Sequence, residues 1–169
     1  MLKKITLFVF LVSIISVSCK KTYDHPDVSV VINEVMPVNS STAADQDGEY
    51  DDWIELFNLT STSVNLSGYY LSDDKKELTK WQFPEGTYIP ANGYLIIWAD
   101  NDYLQQGLHA SFKLSSTGES VVFSTPDKVI IDKISYDANN LELSYSRVPN
   151  GTGELKWQTP TFNRSNGSK

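Results

Sequence analysis

The chain has 169 residues, with 14 Lys and Arg against 21 Asp and Glu, for a net charge of −7. That length suits one domain rather than two, and hydrophobic residues at 40% with aromatics at 12% exclude a disordered chain. The acidic balance disfavours nucleic acid, whose phosphates it would repel, and the single cysteine, Cys19, leaves no disulfide and no Cys-based zinc site.

Met1-Leu2-Lys3-Lys4 is a short positive start, and Ile5 to Val17 is apolar except for Thr6, Ser13 and Ser16. At roughly thirteen residues the run falls short of the twenty or so that span a bilayer. It is predicted to be the apolar region of a secretory signal. Ser16-Val17-Ser18 then leads into Cys19. This resembles the lipobox of bacterial lipoproteins, in which the peptide is cut before a diacylated cysteine. Ser16 departs from the commonest pattern, which has Leu there. Lipoproteins of the Bacteroidetes type often tolerate this, with Ser before the cysteine and Lys after it, as in Ser18-Cys19-Lys20-Lys21. The resemblance implies a signal peptide over 1–18 and lipid on Cys19. Lys20 to Asp27 is polar, with Pro26, and carries no pattern, so residues 19–27 read as a short tether with His25 solvated within it. Two or three acyl chains would anchor the domain stably, at a membrane of the cell envelope and outside the cytoplasm.

From residue 28 to 160 the pattern is all-β. Val28 to Pro37 is a β-branched run that ends in proline, a first strand. Val38 to Gly48 is a long loop of small and acidic residues. Trp53 to Phe57 alternates only in part, which predicts burial on both faces. Tyr69 to Leu71, Trp81 to Phe83 and Tyr88-Ile89 are short strands between turns. Tyr94 to Trp98 is the most hydrophobic run and is expected to be the central strand. His109 to Leu114, Ser120 to Phe123, Val129 to Tyr136 and Leu143 to Val148 follow, and Lys156-Trp157 pairs briefly. Residues 161–169 read as a polar tail. Strands at roughly ten-residue spacing, with no helical period, predict a β-sandwich or barrel.

Several stretches in order carry a family resemblance. They are Ile32-Asn33-Glu34-Val35-Met36-Pro37, Asp51-Asp52-Trp53-Ile54-Glu55-Leu56-Phe57-Asn58, the run from Val64 to Asp73, Trp81-Gln82-Phe83-Pro84, Ile89-Pro90-Ala91-Asn92-Gly93-Tyr94, and Phe112-Lys113-Leu114. The runs from Ser115 to Val122 and from Asp132 to Tyr136 continue it. Together they resemble the lamin tail domain in its bacterial secreted form, over about residues 29 to 149. The resemblance implies an immunoglobulin-like β-sandwich, in agreement with the strand pattern. It further implies an interaction or tethering module and no enzyme. The sequence holds no heptad segment, which argues against a filament protein.

Three constellations could carry chemistry. Asp45, Asp47, Glu49 and Asp51 crowd around Gly48, with Asp52 and Glu55 beyond. Calcium takes six to eight oxygens, so these four are its candidate ligands. The opposing expectation is a solvated acidic loop with Glu55 facing water. Trp53, Trp81, Trp98 and Trp157, with Tyr69 and Tyr70, could stack on sugars if exposed, although alternating runs predict that Trp53, Trp81 and Trp98 are core. His109 is expected on an edge strand, near no acid, with Ser111 on its own face. No phosphate loop or zinc spacing is present, and Lys75, Lys76 and Lys80 are cancelled by Asp73, Asp74 and Glu77. The sequence predicts a lipid-anchored, non-enzymatic module for an unidentified protein partner. The alternative is a glycan-binding module, marked by a row of exposed Trp or Tyr. A hydrolase would need paired carboxylates in a pocket.

Overall fold

The computed structural model describes residues 29–139 and 141–167. The expected signal peptide, Cys19 and the whole of the tether, His25 included, lie outside the described residues.

Among the described residues the elements are strands only. The larger sheet holds β1 (Val30–Met36), β2 (Trp53–Asn58), β7 (Tyr94–Ala99), β8 (His109–Ala110), β11 (Ser144–Val148) and β12 (Glu154–Gln158), in the order β12-β11-β1-β2-β7-β8. The smaller sheet holds β4 (Tyr70–Ser72), β5 (Trp81–Gln82), β9 (Gly118–Ser124) and β10 (Ile130–Asp137), in the order β10-β9-β4-β5. A separate pair joins β3 (Val64–Asn65) to β6 (Tyr88–Ile89). Ladders are antiparallel except β7 with β8. The core lies between the two sheets. Val30, Ile32, Val35, Ile54, Leu56 and Ile97 meet Leu71, Val121, Phe123 and Ile134 there.

A bulge in β1 decides what faces outward. Ile32 pairs with Leu56 but Glu34 pairs with Glu55, so Asn33 is the extra residue. Simple alternation after Val30 and Ile32 would drive Glu34 into the core. The extra residue shifts the phase. Val35 fills the core instead, while Glu34 and Met36 go to the outer face. β2 alternates around the same plane: Ile54 and Leu56 point in, and Trp53 joins Met36 in the outer cluster. Burial on both faces of this strand was legible in its partial alternation.

Four expectations need correction. Tyr94–Ala99 is not central but one strand in from the edge, and its first three residues are only half-buried. His109 to Leu114 is a strand only over His109–Ala110, although Phe112 and Leu114 remain buried. Glu55 does not face water; it is fully buried. The stretch after Pro160, read as a polar tail, packs against the sandwich. Phe162 lies edge-on to Trp53 at 5.3 Å and stacked on Trp98 at 5.5 Å between ring centroids.

Candidate functional site

Two regions gather the polar groups that the core does not need. The first is the outer face of the larger sheet under residues 161–167. Glu34 and Glu55 sit opposite each other there, and both are fully buried. Thr161 N–H donates to Glu34 Oε1 at 2.8 Å, and the Thr161 hydroxyl lies 2.6 Å from Glu34 Oε2. Glu55 Oε1 accepts from Asn33 Nδ2 at 2.9 Å, and Oε2 accepts from Asn163 N–H at 2.8 Å. Burial raises the pKa of Glu34, against bonds from Ser144 and Thr161. Burial pushes Glu55 up to about 8, against the Asn33 bond and with the help of the Glu34 charge. Asn166 is buried beside them and donates to the Asn33 and Arg147 carbonyls. Gly151 N–H donates to Asn33 Oδ1 at 2.9 Å. Gly151 has φ +70°, and a Cβ there would stand 2.5 Å from Leu59 Cδ2.

The second region is one loop end. Asp45 Oδ1 accepts from the N–H groups of Asp47 and Glu49, which closes the acidic turn. Asp47 Oδ2 accepts from Gln106 N–H, and Glu49 Oε2 from Gln105 Nε2, so this turn is tied to the 101–107 loop. Asn39 holds the other end of the long loop by donating to the Ala43 and Asp51 carbonyls at 2.7 Å. The Glu142 carboxylate grips Ser40, Ser41 and Thr42 through their N–H and hydroxyl groups, which pulls its pKa down to about 2. On this framework Tyr103 and Leu104 are 81% and 82% exposed, with Tyr50 exposed nearby in sequence to Glu49. A cleft of about 450 Å³ runs from Asp45 and Gln46 past Ile96, Trp98 and Leu108 to Phe162.

The expected calcium ligands are not brought together. Asp47 and Glu49 point to the neighbouring loop, and among the described residues no group of three His, Cys, Asp or Glu side chains is placed to hold a metal ion. What remains is two unpartnered carboxylate oxygens and the mutual repulsion of nearby acids. Asp45 Oδ2 and Asp51 Oδ2 are buried without a hydrogen-bond partner. Burial raises the Asp51 pKa, with the charges of Asp100 and Asp45 adding to it.

His109 faces an acid that the sequence did not reveal. Its Nδ1 lies 2.6 Å from Asp100 Oδ2, and its Nε2 lies 3.0 Å from the Gln106 carbonyl. Both neighbours are acceptors, so the ring donates twice and is an imidazolium. Burial opposes that charge, but these bonds outweigh it and raise the His109 pKa. Ser111 is not on the face of His109. It is exposed, and its hydroxyl donates to the Lys80 carbonyl at 2.7 Å, because β8 ends at Ala110. The pair holds the 101–107 loop against β7 and β8.

Trp53 and Trp98 are buried, although in the outer cluster rather than the main core. Trp81 and Trp157 are half-buried against the main core, and Tyr69 stacks on Phe123. Tyr70 is half-buried and accepts from Gln82. No tryptophan is exposed, so the indole platform expected of a glycan module is not formed.

Two packed sheets with a helix-free core define an immunoglobulin-like β-sandwich. The lamin tail domain model matches residues 24–138, and the chain belongs to that family. No curated protein matches the chain. The segment that covers Glu34 and Glu55 lies beyond the matched residues.

Proposed function

We propose that this protein is a lipid-anchored, extracytoplasmic binding module without catalytic activity. Acylated Cys19 and the following tether would hold it to a membrane of the cell envelope, and the loop end would engage a partner protein. The observation that supports the binding role is the exposure of Tyr103 and Leu104 on loops locked to each other by side-chain bonds. Neighbouring apolar side chains held rigidly in water mark interaction surfaces, and a preorganised loop loses little entropy on binding. A photo-crosslinking residue at Tyr103 should yield a discrete adduct on intact cells that the same residue at Glu154, on the far edge strand, does not. Equal labelling from both positions, or none from either, contradicts the reading.

One feature supports a bound cation: the unpartnered oxygens of Asp45 and Asp51. On that reading calcium raises Tm saturably, by about 2.7 kcal/mol of stabilisation at one hundred times Kd, and Asp51→Asn abolishes the rise. A flat titration contradicts it and leaves the loop as acidic surface. The alternative ligand, a glycan, would have to be met by Tyr50, Tyr88 and Tyr103, the exposed aromatics among the described residues. Saturable retention on a polysaccharide column, lost in Tyr103→Ala, is the result that would favour it.

A further inference from the structure

The contacts of Thr161 do not balance without an extra proton. Its hydroxyl has one hydrogen, yet Oγ1 lies 2.6 Å from Glu34 Oε2 and 2.5 Å from Asn166 Oδ1. Asn166 cannot supply the missing hydrogen. Its Nδ2 already donates to the Asn33 and Arg147 carbonyls, which fixes Oδ1 as the acceptor. Thr161 therefore donates to Asn166, and the second hydrogen belongs to Glu34 Oε2. Glu55 shows the opposite pattern. Both of its oxygens accept from N–H groups, of Asn33 and Asn163. The two carboxyl groups face each other across the β1–β2 ladder, fully buried. Like charges so placed do not both ionise.

Among the described residues no cation is bonded to either group. Glu34 meets Ser144 and Thr161, with Arg164 acting at longer range to favour its charge. Glu55 meets Asn33, Asn163 and Glu34. From β7 the Tyr94 hydroxyl feels both carboxyl groups and is bonded by Asn150. On β11, Arg147 is engaged with Asp132, and Ser146 lies opposite Glu34. Lys156 of β12 pairs with Ser146 in register and is exposed.

We infer that residues 161–167 form a proton-operated latch: the strap docks on the outer face of the larger sheet with one proton held between Glu34 and Glu55, seated on Glu34 Oε2, and loss of that proton releases it. Ionised Glu34 has no hydrogen for Thr161, and a second buried anion then faces Glu55. The strap covers the pair through Thr161 and Asn163, so its release opens them to water. Release carries Phe162 off Trp53 and Trp98, and so uncovers an apolar patch of Met36, Trp53, Ile96 and Trp98. The proton site itself, Glu34, Glu55 and Thr161, lies apart from the loop-end residues, although Phe162 and Asn163 of the strap line the cleft that reaches them.

The test uses the full chain in detergent, from about pH 6 to about pH 9. Indole emission reports the Phe162 contact. Trypsin cleavage after Arg164, normalised to a short peptide substrate at each pH, reports strap release. The expected result is a reversible alkaline transition in emission, with cleavage rising about tenfold while far-UV circular dichroism is unchanged. Glu34→Gln carries an amide NH₂ where the proton sat, so its strap stays docked and both transitions vanish. Thr161→Val lacks the relay, and its strap is cleaved at the fast rate at every pH. Protection that is flat with pH in the natural protein overturns the latch. So does a transition that survives in Glu34→Gln with its midpoint unchanged. Should Glu34→Gln fail to fold, an unchanged rate in Thr161→Val against the natural protein at acid pH overturns it independently.

Discussion

Asp132 is a single side chain that closes a gap between the sheets. β11 pairs with β1 only at Glu34 and Val35, so the Ile32 backbone has no strand partner on that side. Asp132 Oδ2 accepts the Ile32 N–H at 2.9 Å, and Arg147 Nε donates to the Ile32 carbonyl at 3.0 Å. Arg147 Nη2 completes the clasp by donating to both Asp132 oxygens. A buried amide left without a partner costs about 1–3 kcal/mol. Asp132→Ala should lower stability by that amount, read as a lower urea midpoint with an unchanged slope. Asp51 works in the opposite sense. Its unpartnered oxygen faces the charges of Asp100 and Asp45, so Asp51→Asn should raise Tm in metal-free buffer. None of these pairings was legible in the sequence. Asp132 and Arg147 are fifteen residues apart in an all-β chain, and only the bulge at Asn33 explains why Ile32 needs them.

The strands carried much of their own signal. β1, β2, β9 and β10 were visible because β-branched and aromatic runs stood between turn residues. β8 was overextended, since Ala110, Phe112 and Leu114 alternate as buried side chains without a ladder to pair with beyond Ala110. The strap was missed for a plainer reason. Asn, Thr, Arg, Ser and Gly read as solvated chain, and their partners are two glutamates more than a hundred residues away. Glu55 was misread for the same cause: an acid in an alternating strand is expected in water until something covers it. The strap's apolar anchor is Phe162. Removing a half-buried aromatic that contacts two indoles should cost about 1–3 kcal/mol. Phe162→Ala should therefore lower the unfolding midpoint and change indole emission, and truncation after Pro160 should cost more.

Taken as a whole, the molecule binds protons when it folds. Glu34 and Glu55 hold one proton between them, Glu34 being raised and Glu55 pushed up to about 8, Asp52 rises to about 7, all chiefly through burial, and His109 rises through Asp100. A raised pKa gives stability that is complete below the unfolded value and is lost as pH climbs through the folded one. Glu142, held down to about 2, acts oppositely, and its contribution fades only in strong acid. Thermal unfolding should therefore show the highest Tm near pH 5 and a steady fall to about pH 8. A protein of this charge with Tm constant over that range would contradict the burial of these acids. The family and fold, legible as a succession of motifs, say nothing about where the protein resides; that rests on Cys19. The most direct measurement is fractionation of cells that carry the natural chain or Cys19→Ala. The account predicts that the natural protein pellets with membranes, resists high salt and is released by detergent, while Cys19→Ala is recovered in the soluble extracytoplasmic fraction. Membrane retention of Cys19→Ala, or a soluble natural protein, would contradict it.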